Sequence, residues 1–419
     1  MATRSFRSNR RSGRANLRAD LRNRLAALGE FFRGSFGRFF FGQSPVFYRI
    51  LTFSMFLVVF GLIMVLSASN VDSIKSGSGP FGMFFRQCLA AGLGLFLMVF
   101  FSHLSVQRIK NMAGRFWAIG ILLQTAVLVP GLGVEVNGNR NWIHIPGFPS
   151  LQPSEILKIG MILFIAHWLA ERTESLDEKG IYAWQVLAVA FGTMVYIYAT
   201  GKDLGTGIVM LLIFFAIILV YQMPRQTIAI TLGVAAAGLM YTVVFSPNRV
   251  ARILASINHS SAVATGLDWQ QEHAKWALAA GGIFGTGLGN AQLNWGWIPE
   301  VENDFVFSMV GEEFGLIGAA AVLIVFLLLG FFLMQLVGIS NDPFVKIVTT
   351  GITAWILIQT AVNIMVVIAP VPVLGVPLPF ISDGGSSLLS ILIAIGIVLA
   401  FAREEHAHAS PRSRMRLVK

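Results

Sequence analysis

The chain has 419 residues, of which 55% are hydrophobic and only 12% are charged, with a formal net charge of +10. A soluble globular protein carries about 25% charged residues, so this composition excludes a disordered chain and argues against a soluble enzyme. The charge is uneven, because residues 1–49 contain eleven Arg and only two acidic residues, Asp20 and Glu30. Such an arm is typical of either a nucleic-acid-binding tail or the cytoplasmic anchor of a membrane protein.

Long apolar runs favour the membrane anchor. A bilayer-spanning helix needs about 20 mainly apolar residues, and residues 50–69 contain no charge at all. With the runs that follow, the sequence predicts an all-α polytopic membrane protein of about ten transmembrane helices. The further runs lie near 87–102, 116–133, 154–170, 183–200, 204–222, 227–245, 305–337, 345–369 and 386–402.

The distribution of basic residues predicts the orientation of these helices. With ten spans both termini lie on one side of the membrane, and the Arg-rich start places that side in the cytoplasm. We therefore expect a basic cytoplasmic arm at 1–49, one membrane domain at 50–402 and a basic cytoplasmic tail at 403–419. The protein is expected in the cytoplasmic (inner) membrane.

A large extracytoplasmic loop, residues 246–304, is predicted between the seventh and eighth spans. Loops of this length in a compact domain are usually functional. The loop is rich in Gly and short apolar pieces, which indicates interfacial or partly re-entrant structure. Trp276, Trp295 and Trp297 fit an aromatic belt at the membrane surface.

The first polar motif stands at the outer end of the fourth span, where Gln-Pro-Ser-Glu at 152–155 is followed by Lys158. Glu155 and Lys158 are three residues apart and share one helix face. They fit either an ion pair that neutralises itself inside the membrane or a cation site for an anionic headgroup. We favour the second interpretation, because ionisable residues within membrane helices are mostly functional.

Asp203 belongs to a short outward turn, Lys-Asp-Leu-Gly-Thr at 202–206, between the fifth and sixth spans. Its side chain is equally suited to cap the helix that follows and to take part in a functional site. The sequence does not distinguish these two interpretations.

Carboxylates cluster at the start of the eighth span. Asp304 should lie near the outer surface, while Glu312 and Glu313, two to three turns later, should lie deeper. Two adjacent carboxylates in an apolar helix are hard to explain by packing, so we predict a function for at least one of these residues. Asp304 is the best candidate for a general base.

The last motif, residues 376–387, precedes the tenth span. Pro377 and Pro379 prevent a continuous helix there. The Gly-Gly-Ser-Ser sequence at 384–387 then begins a helix whose free N–H groups would suit an anion such as a phosphate. A plain turn is the alternative.

Signatures of other chemistries are missing from the sequence. The seven His residues do not have metal-ligand spacing, and neither a nucleophile elbow, a Walker loop nor a dinucleotide fingerprint occurs. The sequence therefore predicts no metal centre.

Taken together and in their order, the motifs resemble those of the SEDS family of cell-wall synthases, which contains FtsW, RodA and SpoVE. The resemblance runs from Asn137 to Ser387. The motifs that carry it are QPSEILK (152–158), KDLGT (202–206), GGIFGTGLG (281–289) with NDFVFSMVGEEFGLIG (303–318), and VNIM (362–365) with PVLGVPLPFISDGGSS (372–387).

The resemblance implies an inverting peptidoglycan glycosyltransferase that polymerises lipid II into β-1,4-linked strands at the outer face of the membrane. It implies Asp304 as the catalytic residue. It also implies a class B penicillin-binding transpeptidase as partner, among other proteins of the elongation or division machinery. The residues implied to bind substrate are Glu155, Lys158, Arg140, Asp203, Glu312, Glu313, Ser382, Ser386 and Asn363.

The chain departs from the family pattern at several positions. The family commonly has an Arg directly before Trp142, where this chain has Asn141, with Arg140 one place earlier. Asn303 replaces a Thr and Asp383 replaces a Tyr, and Lys202 stands where a Pro is common. The changes at Asn141 and Asp383 alter charge around the expected site, and they leave Asp304 in place.

A mechanism follows from the chemistry of the implied substrate. Asp304 would accept the proton of the attacking 4-hydroxyl group, while Lys158, Arg140 or a divalent cation (Mg or Mn) would stabilise the departing diphosphate. The competing hypotheses are a lipid II flippase, for which the buried charges would form a polar path, and a scaffold that only recruits a transpeptidase. Elongation and division both remain open as the setting.

Overall fold

The computed structural model describes residues 42–69, 73–74, 79, 81–136, 139–144, 150–171, 179–221, 225–244, 269–291, 303–368 and 373–409. The chain divides into two units, Met1–Ser44 and Pro45–Lys419, and the second contains every helix and strand described below. Most of the expected basic arm, residues 410–419 of the expected tail, Trp295 and Trp297 lie outside the described residues.

The described chain is mostly helical, with eleven helices and one hairpin. In chain order they are α1 (Pro45–Ala68), α2 (Gly82–Ser102), α3 (Val106–Ala126), β1 (Gly133–Val136), β2 (Asn139–Ile143), α4 (Pro153–Glu171), α5 (Lys179–Gly201), α6 (Leu204–Val220), α7 (Arg225–Val244), α8 (Trp269–Gly281), α9 (Val306–Ile339), α10 (Pro343–Ile368) and α11 (Gly385–Ala409).

Six of these helices are long and apolar enough to cross a membrane, namely α1, α2, α4, α9, α10 and α11. Shorter apolar stretches occur at Gln185–Gly201 in α5, Leu204–Val220 in α6 and Ile228–Gly238 in α7. Every predicted run overlaps one helix. The additional helix, α8, lies within the predicted outward loop.

The third helix begins ten residues before the predicted run at 116–133, because Ser105 caps it by accepting a hydrogen bond from the Arg108 N–H. The end of that run is not helical. It enters the hairpin, in which β1 and β2 pair antiparallel with Gly133 opposite Ile143. The sequence analysis missed this hairpin, since its first strand continues an apolar run and is only four residues long.

The core of the membrane domain is centred on α11, whose residues from Ile391 to Ala402 are almost all buried. This helix packs most extensively against α2 and also contacts α1, α4 and α10. The close approach of α11 to α2 requires a glycine at position 396, because a Cβ on Gly396 would lie 2.5 Å from the Met98 carbonyl oxygen. The outer faces of α1 and α9 expose large apolar side chains such as Phe56 and Phe331, as expected for surfaces in contact with lipid.

Helix α9 is interrupted at Gly315, which has φ 66° and ψ −166°. A side chain there would collide with the Gly285 nitrogen and the Ile283 carbonyl in the turn that follows α8. The interruption explains why the apolar run is longer than one span requires. Its first two turns, up to Phe314, form a separate buried segment, and the membrane-length part begins after Gly315.

Candidate functional site

Lys158 is held in a buried polar network between α4 and α10. Its ammonium group donates hydrogen bonds to Glu155 Oε1 and to Gln359 Oε1, each at 2.9 Å, and it lies 4.8 Å from the centre of the Trp355 ring. Lys158 and Glu155 are each 1% exposed. The side chains around the ammonium group compensate its charge, which a buried ion pair requires.

Gln359 connects this network to residues 373–384, the segment between α10 and α11, which we call the proline loop. The Gln359 side-chain amide donates to the Pro377 carbonyl at 2.8 Å. One helical turn further along α10, the Asn363 amide donates to the carbonyl oxygens of Val376 and Asp304, each at 2.9 Å. Two amides at i and i+4 thus fix the proline loop and the start of α9 to the same face of α10.

Asp304 stands just before α9, half-buried beside the proline loop. A Cβ on Gly375, which has φ 67°, would lie 4.0 Å from Asp304 Oδ2. The preceding residue is fixed as well, because the Ser382 hydroxyl donates to the Asn303 carbonyl at 2.5 Å and accepts from the Leu378 N–H at 2.8 Å. The structure therefore brings Asp304, Asn363 and Ser382 together around the proline loop.

Asp203 caps α6 and accepts four hydrogen bonds. Its Oδ1 accepts from the Thr206 N–H at 3.0 Å, and its Oδ2 accepts from the Thr206 hydroxyl at 2.8 Å. The side-chain amides of Asn141 and Gln152 donate to Oδ2 at 3.0 and 3.1 Å. The Asp203 carboxylate therefore connects the hairpin, the start of α4 and α6. Of the two interpretations that the sequence left open, helix capping describes the observed geometry.

Ser386 links the same region to α11. Its hydroxyl accepts a hydrogen bond from the Gln152 backbone N–H at 3.2 Å. Gln152 therefore contacts both Asp203 and the first turn of α11. The start of α11 thus lies next to the QPSE motif.

Arg140 lies apart from the other site residues that were expected from the sequence. Its guanidinium group donates to the Val129 carbonyl, just beyond α3, at 3.3 Å, whereas Asn141 points to Asp203. Successive residues of a strand face opposite sides, so moving an arginine by one position in β2 directs it away from the site. Arg140 therefore lies on the opposite side of β2 from Asn141 and Asp203.

Glu312 and Glu313 lie in the buried first segment of α9, each 1% exposed. The Ser67 hydroxyl of α1 and the Gly289 N–H donate to Glu313 Oε1. The Glu312 carbonyl accepts from both the N–H and the hydroxyl of Thr286. These bonds hold the turn after α8 and the end of α1 against α9, and none of them involves the proline loop.

Asp383 adds an ionisable group that the sequence analysis noted only as a departure. It follows Ser382 in the proline loop, and burial raises the pKa of its carboxyl group from 3.8 to about 6, although the charge of Arg86 on α2 opposes this. The neighbouring Gln87 donates to the Ser382 carbonyl at 3.2 Å. The start of α2 therefore borders the site.

Two of the described carboxylates are already engaged by other side chains of the protein. Among the described residues, no three His, Cys, Asp or Glu side chains come together as metal ligands. Asp203 is surrounded by hydrogen-bond donors, and Glu155 is paired with Lys158. We assign no step to a metal.

Two side chains that shape the site were not predicted from the sequence. Trp355 lies over the Lys158 ammonium group, and Gln87 donates to the Ser382 carbonyl. A signal existed for α10, because Gln359 and Asn363 are amides at helical spacing in an otherwise apolar stretch. Gln87 gave no comparable signal, since a single amide near a helix start is common.

Comparisons with known proteins agree with this architecture. Residues 48–407 match the family model FTSW_RODA_SPOVE, described as a cell cycle protein. The chain is 35% identical over 377 residues to "Probable peptidoglycan glycosyltransferase FtsW" of Mycobacterium tuberculosis, covering 89% of this chain and 71% of the relative. It is 33% identical over 351 residues to "Stage V sporulation protein E" of Bacillus subtilis, covering 84% and 95%.

Solved structures with similar folds are also known. One belongs to a study of "Structural coordination of polymerization and crosslinking by a peptidoglycan synthase complex", with a TM-score of 0.71, 25% identity and coverage of 87% of this chain and 99% of that chain. Another is the rod shape determining protein RodA of Thermus thermophilus, with a TM-score of 0.62, 24% identity and coverage of 87% and 98%. The chain belongs to the FtsW/RodA/SpoVE family of multi-pass membrane proteins.

Proposed function

We propose that this protein is a peptidoglycan glycosyltransferase that polymerises lipid II into β-1,4-linked glycan strands during cell elongation or division. The observation that carries the proposal is the placement of Asp304. Its carboxylate is half-buried beside Gly375, while its own carbonyl and that of Asn303 are held by side chains of α10 and the proline loop. Named FtsW relatives with about a third of their residues identical support the same activity.

The membrane arrangement proposed here has ten spans, α1 to α7 and α9 to α11, with α8 in the extracytoplasmic loop. This count puts both termini in the cytoplasm and the proline loop at the outer face of the cytoplasmic membrane. It is supported by the clustering of Asp203, Asp304, Ser382 and Ser386, all of which lie at helix starts joined by hydrogen bonds. Lipid II presented at the outer face would reach this cluster at Asp304, which is only half-buried.

In the proposed reaction the 4-hydroxyl of one lipid II attacks the anomeric carbon of another, and the bond to the diphosphate breaks. Asp304 accepts the hydroxyl proton, a contribution of about 10²- to 10⁴-fold in rate. An α-linked donor gives a β-linked product by inversion in one displacement, so no covalent nucleophile is needed. The fixed backbone around Asp304 supports this role, because a base must be held near the proton that it removes.

The role of Lys158 is proposed to be indirect. A lysine that is 1% exposed and already bound by Glu155 and Gln359 is poorly placed to meet a diphosphate. Its network instead fixes Pro377 through Gln359. The positive potential for the leaving group is proposed to come from the N–H groups that begin α11 and from the exposed guanidinium of Arg86.

The test is polymerisation of purified lipid II by the Asp304→Asn variant. We expect at least a 10²-fold loss of rate, because the amide cannot accept the proton. The matched control is Asp342→Asn, which alters a carboxylate that caps the start of α10 through the Phe344 N–H. Normal polymerisation by Asp304→Asn would remove the base assignment.

A lipid-scrambling assay on the same preparations separates the enzyme from the flippase. A flippase would translocate lipid II in vesicles without forming glycan strands. A scaffold would do neither, and substitutions at polar site residues would then leave every measured rate unchanged.

We also propose a single-span class B penicillin-binding transpeptidase as partner. The related chain from a peptidoglycan synthase complex supports this proposal. Polymerisation measured with and without such a transpeptidase tests it, and an unchanged rate together with failure to co-purify would count against the partnership.

A further inference from the structure

A cavity lies where α6, α9 and α10 meet, at the end of these helices away from the proline loop. Its volume is about 200 Å³, which exceeds the roughly 150 Å³ apolar cavity that admits benzene in an engineered protein. The apolar walls are Ile217 and Val220 at the end of α6, Val337 near the end of α9 and Ile347 on α10. Val220 is 48% exposed, so the cavity opens on the outside of the helix bundle.

Two polar side chains of α10 line the same cavity, Lys346 and Thr350. They are four residues apart and therefore face the same side, with Thr350 about 6 Å further along the helix. The Thr350 hydroxyl is buried and has no hydrogen-bond partner within the described parts of the chain. Such an oxygen in an apolar wall is costly unless a ligand satisfies it.

Lys346 is half-buried at the outer edge of this cavity. No described acidic residue forms an ion pair with it, and the nearby Asp342 carboxylate is occupied by the Phe344 N–H at 2.8 Å. The cavity thus presents a positive charge near the end of the helices, a hydroxyl one turn deeper and apolar walls between them.

We infer that this cavity binds a glycerophospholipid with an anionic headgroup. The phosphate lies against Lys346, the ester carbonyl accepts a hydrogen bond from the Thr350 hydroxyl, and the first part of an acyl chain fills the apolar walls. Charge complementarity favours an anionic lipid over a neutral one. The order of charge, hydroxyl and apolar surface follows that of phosphate, ester and hydrocarbon in the lipid.

The experiment is native mass spectrometry of the full chain in mild detergent, titrated with phosphatidylglycerol or phosphatidylcholine of identical acyl chains. We expect the wild type to retain phosphatidylglycerol several-fold better than phosphatidylcholine, and Lys346→Gln to remove the difference. The matched control is Lys110→Gln, because Lys110 is also half-buried and lies on α3, outside the cavity.

A second pair of variants tests the walls. Val220→Trp should block the cavity and reduce retention of both lipids, whereas Leu219→Trp, at a neighbouring position that is 46% exposed and outside the lining, should not. Thermal unfolding in the same detergent verifies that each variant is folded.

Equal retention of the two lipids by the wild type would overturn the inference. So would unchanged phosphatidylglycerol binding by Lys346→Gln and Val220→Trp, or an equal loss in Lys110→Gln. A polypeptide that co-purifies with the wild type, competes with phosphatidylglycerol and is lost from Val220→Trp would assign the cavity to a protein partner. None of these measurements depends on glycan polymerisation.

Discussion

Most polar side chains at the site contact the protein main chain rather than open space. Gln359 and Asn363 donate to carbonyl oxygens of the proline loop, and Ser382 donates to Asn303. Their common effect is to hold three chain segments in register around Asp304. At the residue scale, the candidate site is therefore organised by amides and hydroxyls that fix the backbone on either side of Asp304.

Asn363 is expected to be a positioning residue. Its replacement by Leu removes the donors to Asp304 and Val376, and a displacement of about 1 Å in a reacting group costs about 10²-fold in rate. We expect the loss to fall on kcat in lipid II polymerisation, with little change in KM. Thr360→Val on the same helix is the control, because within the described residues its hydroxyl donates only to the Ile356 carbonyl. Equal rates for the two variants would contradict the assignment.

Lys158 is expected to matter chiefly for stability. Lys158→Met leaves the Glu155 carboxylate buried without its cation, which should cost about 3–5 kcal/mol. The double variant Glu155→Leu/Lys158→Met should recover much of that loss, as measured by thermal unfolding in detergent. Lys275→Met is the comparison, since the Glu272–Lys275 pair has the same i,i+3 spacing but is about a third exposed, and its loss should cost about 1 kcal/mol at most.

Asp383 should give the protein a pH-dependent stability. Because its folded pKa is raised to about 6, the folded state binds this proton more tightly than the unfolded state does. Its contribution is full below about pH 4 and is lost as the pH rises through 6. The pKa is raised by about two units, and each unit corresponds to about 1.4 kcal/mol. The loss of folding stability is therefore at most about 3 kcal/mol. Unfolding temperatures from pH 4.5 to 8 should fall less for Asp383→Asn than for the wild type; parallel curves would contradict this.

At the scale of elements, the interruption in α9 is the feature that divides this helix into two parts. The segment before Gly315 carries Glu312 and Glu313 and is bonded to the turn after α8 through Thr286 and Gly289. The segment after it has the length of a membrane span. One helix therefore contributes both to the structure around α8 and to the bundle of long apolar helices.

Gly315→Ala should disturb this junction. The substitution places a side chain at φ 66° against Gly285 and Ile283, and strain of this kind costs about 1–3 kcal/mol. We expect faster hydrogen exchange in residues 282–290 and a lower unfolding temperature. Gly338→Ala in the same helix is the control, because no described residue outside its own helical turns lies within 4 Å of the added Cβ. Identical exchange in the two variants would contradict the proposed role of the interruption.

At the scale of the whole molecule, apolar runs predicted the helices well, because each span must bury or expose some twenty apolar residues in lipid. The positions of α4, α6 and α9 agree with their runs within a few residues. The hairpin was missed, since a strand of four residues next to a helix produces no distinct period. The interruption in α9 was missed too, because a glycine between apolar residues is also compatible with a continuous helix.

For the candidate site, the sequence indicated which polar residues come close together better than it indicated which contacts they make. Asp304, Ser382 and Asn363 meet around the proline loop as their motifs suggested. The sequence did not reveal that Lys158 is sealed by Trp355 and Gln359, because those partners lie some two hundred residues away. Nor did it reveal that Arg140 points away from Asp203, since that depends on strand register.

The burial of α11 has a consequence for biosynthesis. This helix is enclosed by α1, α2 and α4, yet it is made after all three of them. While α11 is still being translated, the earlier helices surround a space in the membrane that is not yet filled. Glycines such as Gly94 face the part of this space that Leu392 will occupy. Final packing of these helices is thus postponed until α11 has been synthesised, and an insertase or chaperone that shields the gap would have its greatest effect before that moment.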